Sequence, residues 1–105
     1  MREAQTAEQL MRSRYSAFAR GREDYVFRTW HPRTRPDDLV ETGLDRERRW
    51  TGLAVIDIVD GGPGDAEGVV EFEASWTSGA ESGVQRERSR FERRGGRWVY
   101  VEALA

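Results

Sequence analysis

The spacing of apolar residues changes once along the chain, and the change separates two kinds of structure. Near the start, Leu10, Met11, Tyr15 and Phe18 recur every three or four residues, the helical period, with Arg14 on the same stripe. Thr6 followed by Gln9 is a capping-box pattern that starts this helix, and Gly21 supplies its stop. A second, shorter helix is predicted over residues 23–30. Glu23 and Asp24 favour its N-terminal dipole, Tyr25, Val26, Phe27 and Trp30 form its apolar stripe, and His31-Pro32 ends it. A further short helix is predicted over 36–41. From Trp50 onward the period becomes two. Residues 50–60 are β-branched and apolar on both faces, and "GGPGD" at 61–65 is a turn. Residues 67–76 alternate, with Val70, Phe72, Ala74 and Trp76 on one face and Val69, Glu71, Glu73 and Ser75 on the other. After a turn at 78–83, residues 84–94 alternate again, Gln85, Glu87, Ser89 and Phe91 opposing Arg86, Arg88, Arg90 and Glu92. Gly95-Gly96 makes a tight hairpin into a last strand at 97–105.

Helices first and an antiparallel meander after them predict an α+β fold in one domain spanning 1–105. Keeping the apolar faces together pairs Phe72 with Ser89 and Val70 with Phe91. Glu71 then faces Arg90 and Glu73 faces Arg88, a ladder of opposite charges on an outer face that also carries Val69, Val99 and Val101. Phe18, Trp30, Phe72, Phe91, Trp98 and Tyr100 form the expected core.

Composition refines this picture in three places. All 17 basic residues are Arg, but they are interleaved with 19 acids for a net charge of −2, so neither nucleic acid nor an anionic membrane is an expected partner. The chain has no Cys, which removes disulfides and thiol chemistry, and one His with scattered carboxylates makes no metal cluster, so neither metal nor cofactor is expected. No apolar run reaches membrane-spanning length, and the first residues lack the apolar core of a signal peptide; a cytoplasmic location is the expectation.

The chemically suggestive residues are polar groups on apolar faces. Glu87 and Ser89 share the phase of Phe91 and, through it, of Trp98 and Tyr100, and a carboxylate there is costly unless paired. Arg14 is on the buried side of the first helix, so a direct or single-water-bridged Arg14–Glu87 ion pair is expected, with Tyr15, Ser16 and Ser89 close by. The pocket-lining candidates are Arg14, Tyr15, Trp30, Phe72, Glu87, Ser89, Trp98 and Tyr100. No catalytic residue is assigned. His31 follows a helix, where a carbonyl partner or the dipole accounts for it without catalysis.

"TAEQLMRSRYSAF", "RTWHP", "VEFEA", "RERSRF" and "GRWVYV" occur in this order, and over nearly the whole chain the sequence resembles the central domain of the YchJ-like proteins, a bacterial group without an assigned activity. The resemblance implies the cone-shaped, nuclear-transport-factor-like fold shared with ketosteroid isomerase and SnoaL-like cyclases. In it, N-terminal helices pack on the concave face of a curved antiparallel sheet of about four strands and can leave a cavity. Longer YchJ-like members carry a Cys-rich SEC-C-type segment beside this domain. A chain without Cys is then a short member or that domain alone. Arg86 stands where relatives often have His. The resemblance and the residues together imply a non-catalytic module that binds a small molecule or a protein; the alternative is a small isomerase- or cyclase-type enzyme using Glu87 as acid/base. Cone-fold proteins often pair through their sheets, so a homodimer is a further expectation.

Overall fold

The computed structural model describes residues 3–37 and 47–105. The order is α1 (Ala7–Ala19), α2 (Glu23–Arg28), β1 (Arg49–Asp60), β2 (Glu67–Ser78), β3 (Glu81–Arg94) and β4 (Arg97–Ala103). The strands form one antiparallel sheet in the order β1-β2-β3-β4. This is the α+β architecture expected from the change of period. The helix expected at 36–41 lies, from residue 38 on, outside the described residues.

Thr6 caps α1: its Oγ1 accepts the Gln9 N–H at 3.1 Å, while Gln9 Oε1 accepts the Gln5 N–H at 2.7 Å. Leu10 and Met11 of α1 meet Val70 of β2, and Phe91 and Trp98 of β3 and β4, in the main core. A second cluster joins Ala17 to Tyr25 and Val26 of α2. The start of α1 docks on the β1–β2 turn through small residues. Ala7 N–H donates to Gly61 O at 2.9 Å, and a Cβ placed on Gly68 would come within 2.5 Å of Gly61 Cα and 3.1 Å of Ala7 Cβ. Gly61 also holds φ +80°, so glycine serves there for both conformation and space. Helix α2 is shorter than its predicted span and ends at Arg28. The chain then turns extended and pairs with the free edge of β4: Tyr100 N–H donates to Thr29 O and His31 N–H to Tyr100 O, both at 2.8 Å.

Two expectations are corrected. The β2–β3 pairing is displaced by two residues, with Val70 opposite Ser89, Phe72 opposite Glu87, Glu71 opposite Arg88 and Glu73 opposite Arg86. The predicted six-residue turn is only Gly79-Ala80 between paired Ser78 and Glu81, with Gly79 at φ +61°, and this tight hairpin fixes the register. A shift of two preserves both faces, so the outer charge ladder exists with different partners. Val99 and Val101 are buried, not displayed on an outer face. The segment after α2 covers this part of the sheet: Thr34 Oγ1 donates to Val101 O at 2.6 Å, and Val99 borders a cleft with Pro32 and Arg35. Bulges at Trp50/Gly52 and Val55/Asp57 break the regular register of β1 and introduce local bends.

Candidate functional site

Between α1, Trp30 in the stretch after α2, and the inner face of the sheet the structure keeps a cavity of about 360 Å³. Of the expected pocket residues, Arg14, Tyr15, Trp30, Phe72, Glu87, Ser89 and Tyr100 line it. Trp98 does not. It is buried near the start of α1, where its Nε1–H donates to Gln5 O at 3.1 Å and Arg93 stacks on its ring. The reason is register: Trp98 pairs with Arg93, beyond Phe91 and toward the β3–β4 turn, whereas Glu87 lies in the opposite direction along β3. Phe18, Trp30, Phe72 and Tyr100 are only partly buried because they border this space, while Phe91 and Trp98 are buried as expected.

Arg14 is 6% exposed, and its position on the apolar stripe of α1 puts it there. Its Nη1 donates to Val26 O at 2.9 Å and to Thr29 Oγ1 at 2.7 Å. The Val26 carbonyl belongs to the last turn of α2, which has no helical partner to offer it, so the guanidinium closes that helix end. Three rings surround the cation, with Cζ 4.7 Å from the Tyr100 centroid, 5.1 Å from Trp30 and 5.8 Å from Phe18. Burial lowers the Arg14 pKa from 12.5 to about 10, opposed by the nearby Tyr100, Glu87 and Tyr25. It is therefore charged at neutral pH.

Glu87 reaches the same space from β3. Its Oε2 accepts the Ser89 hydroxyl at 2.5 Å and the Tyr100 hydroxyl at 3.1 Å. Burial, then the Glu87 charge and the bond to it, raise the Tyr100 pKa, so the phenol stays protonated and a donor. The direct form of the expected Arg14–Glu87 ion pair is absent among the described residues. Arg14 turns to the end of α2 and Glu87 to two hydroxyls, and Glu87 acts on Arg14 through the field beside the shared Tyr100 ring. Ser16 is exposed, and Tyr15 packs edge-on against Trp50 at 6.2 Å.

Arg48, Trp50, Ala74, Gln85, Met11 and Phe18 also line the cavity. Gln85 and Ala74 carried a signal, since both lie on the inner phase of their strands. Arg48 carried none; it stacks over Trp76 at 4.2 Å and Trp50 at 5.7 Å just before β1. His31 is not part of the lining. Its Nδ1 accepts the Arg33 N–H at 3.0 Å, and its Nε2 lies 3.8 Å from Glu92. Among the described residues no group of three or more His, Asp or Glu is placed to hold a metal ion.

Comparison with known proteins places these features in a wider set. A family model described as "YchJ, middle NTF2-like domain" matches residues 6–103. The chain is 51% identical over 100 residues to a UPF0225 protein of Streptomyces avermitilis, covering 95% of this chain and 66% of that one. It is 50% identical over 104 residues to a UPF0225 protein of Chromobacterium violaceum, covering 96% and 75%. The solution structure of a SEC-C motif containing protein from Rhodopseudomonas palustris is similar at TM-score 0.83 and 34% identity, over 99% of this chain and 81% of that one. The crystal structure of a SEC-C motif containing protein from Psychrobacter arcticus is similar at TM-score 0.72 and 26% identity, over 96% and 61%.

Proposed function

The chain belongs to the YchJ-like family as its middle, NTF2-like domain, and on that premise we propose that it is a non-catalytic module that binds a small molecule in the cavity between α1, Trp30 and the sheet. The observation that carries this reading is the pairing of an open, ring-lined space of about 360 Å³ with a few convergent polar groups at Arg14, Glu87 and Tyr100. That size and lining are those of small-ligand pockets. The whole relatives are longer than this chain, and the two similar structures are SEC-C motif proteins, so a flanking SEC-C segment beside this domain is the partner the reading favours.

A second reading keeps the same cavity and makes it catalytic. Its specific support is Glu87, a carboxylate among rings with Oε1 without a hydrogen bond among the described residues. General acid/base work usually needs a second group able to exchange a proton near neutral pH. Tyr100 is held protonated and His31 is not in the lining, so binding is the better account.

The test is a thermal-shift screen of a metabolite library against the protein and Ala74→Leu, which fills the cavity from its buried strand wall. Ligands specific to the folded state raise the melting temperature, by an amount that grows with the logarithm of ligand concentration over Kd. The proposal expects hits on the parent that vanish in the filled variant. Hits unchanged by the filling contradict it, and hits that are chemically converted favour the enzyme.

A further inference from the structure

We infer that Arg14 offers the Nε–Nη2 edge of its guanidinium to the cavity as the seat of a ligand carboxylate, so that the bound molecule is a flat, largely apolar carboxylic acid. This rests on the cavity reading above and names the ligand class for it. The first observation is which nitrogens are used. Both side-chain hydrogen bonds of Arg14 leave from Nη1, to Val26 O and Thr29 Oγ1. Those bonds fix the plane of the group. Nε and Nη2 carry no hydrogen bond among the described residues, yet neither is among the sealed, unpartnered side-chain nitrogens, and the residue lines the cavity. The two N–H groups on that edge are parallel and match the two oxygens of a carboxylate.

The second observation is that, among the described residues, no carboxylate bonds to this edge. Glu87 is engaged by Ser89 and Tyr100 through Oε2 and forms no direct pair with Arg14. A buried guanidinium with its nearest described carboxylate engaged elsewhere is a costly arrangement that an incoming anion relieves. The third observation is charge and shape. Arg14 and Arg48 face one carboxylate, Glu87, among the described lining residues, which suits a monoanion; a phosphate dianion would crowd against Glu87. Trp30, Phe18 and Tyr100 flank the cation and leave apolar surface for a planar body. Glu87 Oε1 is then free to accept an N–H or O–H from the ligand's other end.

The experiment uses isosteric probes on the ¹⁵N-labelled chain: indole-3-acetate, indole-3-acetamide and tryptamine, with phenyl- and naphthyl-acetate as ring variants. The Arg14 side-chain Nε–H resonance reports the proposed contact directly. Indole-3-acetate is expected to shift that resonance and to bind about tenfold or more tighter than the amide, the scale of one charge-assisted contact. Tryptamine is expected to be the weakest of the three. Arg14→Lys keeps the charge without the paired edge and should lose that preference; should the variant not fold, the comparison of matched probes on the parent decides alone. Glu87→Gln should tighten the acids by removing the one opposing charge. Equal binding of amide and acid, with cavity resonances shifting, overturns the carboxylate seat and leaves the cavity reading standing. If no acid of the series moves the Arg14 resonance, the seat is overturned and the cavity reading rests on the library screen.

Discussion

Arg14 joins three parts of the molecule: a stem on the buried stripe of α1, a nitrogen on the end of α2, and a flat cation among rings that reach it from α1, the stretch after α2, and β4. Arg14→Met keeps the stem, removes the donor to the Thr29 hydroxyl and leaves the Val26 carbonyl only the long 3.4 Å contact from Thr29 Oγ1. The expected loss is about 2–4 kcal/mol by urea unfolding, in line with removing charged hydrogen bonds from buried acceptors. A loss below about 0.5 kcal/mol, the scale of an ordinary surface change, would contradict the role assigned to it. Helical spacing was enough to place Arg14 on the inner side, and strand phase was enough to place Glu87, Ser89 and Tyr100 there. The partner of Arg14 was not legible. Its acceptor is mainly a backbone carbonyl, a group every residue has, so no sequence pattern distinguishes Val26. Opposite charges on facing elements suggest a pair, but the Val26 carbonyl at the end of α2 and the Thr29 hydroxyl are the acceptors that the guanidinium reaches.

At the level of elements, the glycines at the two ends of β2 act in different ways. Gly79 sets a two-residue turn, and the turn sets the register of β2 against β3. Gly68 and Gly61 instead leave room for Ala7, so that α1 can start against the sheet. Gly68→Ala forces a methyl onto backbone atoms and is expected to cost about 1–3 kcal/mol, as overpacking does. Gly64→Ala meets nothing within 4 Å and should stay within about 0.5 kcal/mol in the same denaturation series. Equal effects at both positions would contradict the close approach. The outer ladder links Asp57, Arg88, Glu71 and Arg86, and separately Glu92, Arg90 and Glu102. Hydrogen bonds from Arg88 hold Asp57, and from Arg86 and then Arg88 hold Glu71, below the usual carboxylate range. Groups with a depressed folded pKa stabilise above the unfolded pKa and lose that contribution as pH falls. The melting temperature should therefore drop as pH falls below about 4, and the drop should shrink in 1 M salt, which screens exposed pairs. An acid limb independent of salt would contradict the ladder as its source. Alternation revealed the two faces of these strands but left the register open by two residues, because such a slip exchanges neighbours without exchanging faces.

For the whole molecule, the order of helices before strands was readable because the period of apolar residues changes only once. The cavity itself was less readable: patterning says which residues face inward, not whether they fill the space they enclose. Trp98 illustrates this, since it shares the inner phase with Tyr100 yet packs by the start of α1, whereas Tyr100 borders the cavity. That difference also supplies the sharpest check of where a ligand binds. The central claim is that the space bounded by Trp30, Phe72, Glu87 and Tyr100 is a binding site, and intermolecular NOEs between a screened ligand and assigned side chains locate the ligand directly. NOEs are expected from ligand protons to the rings of Phe72 and Tyr100 and to the methyl of Ala74. NOEs confined to Trp98 and Val99 in the neighbouring cleft, or to side chains of the outer ladder, would contradict it.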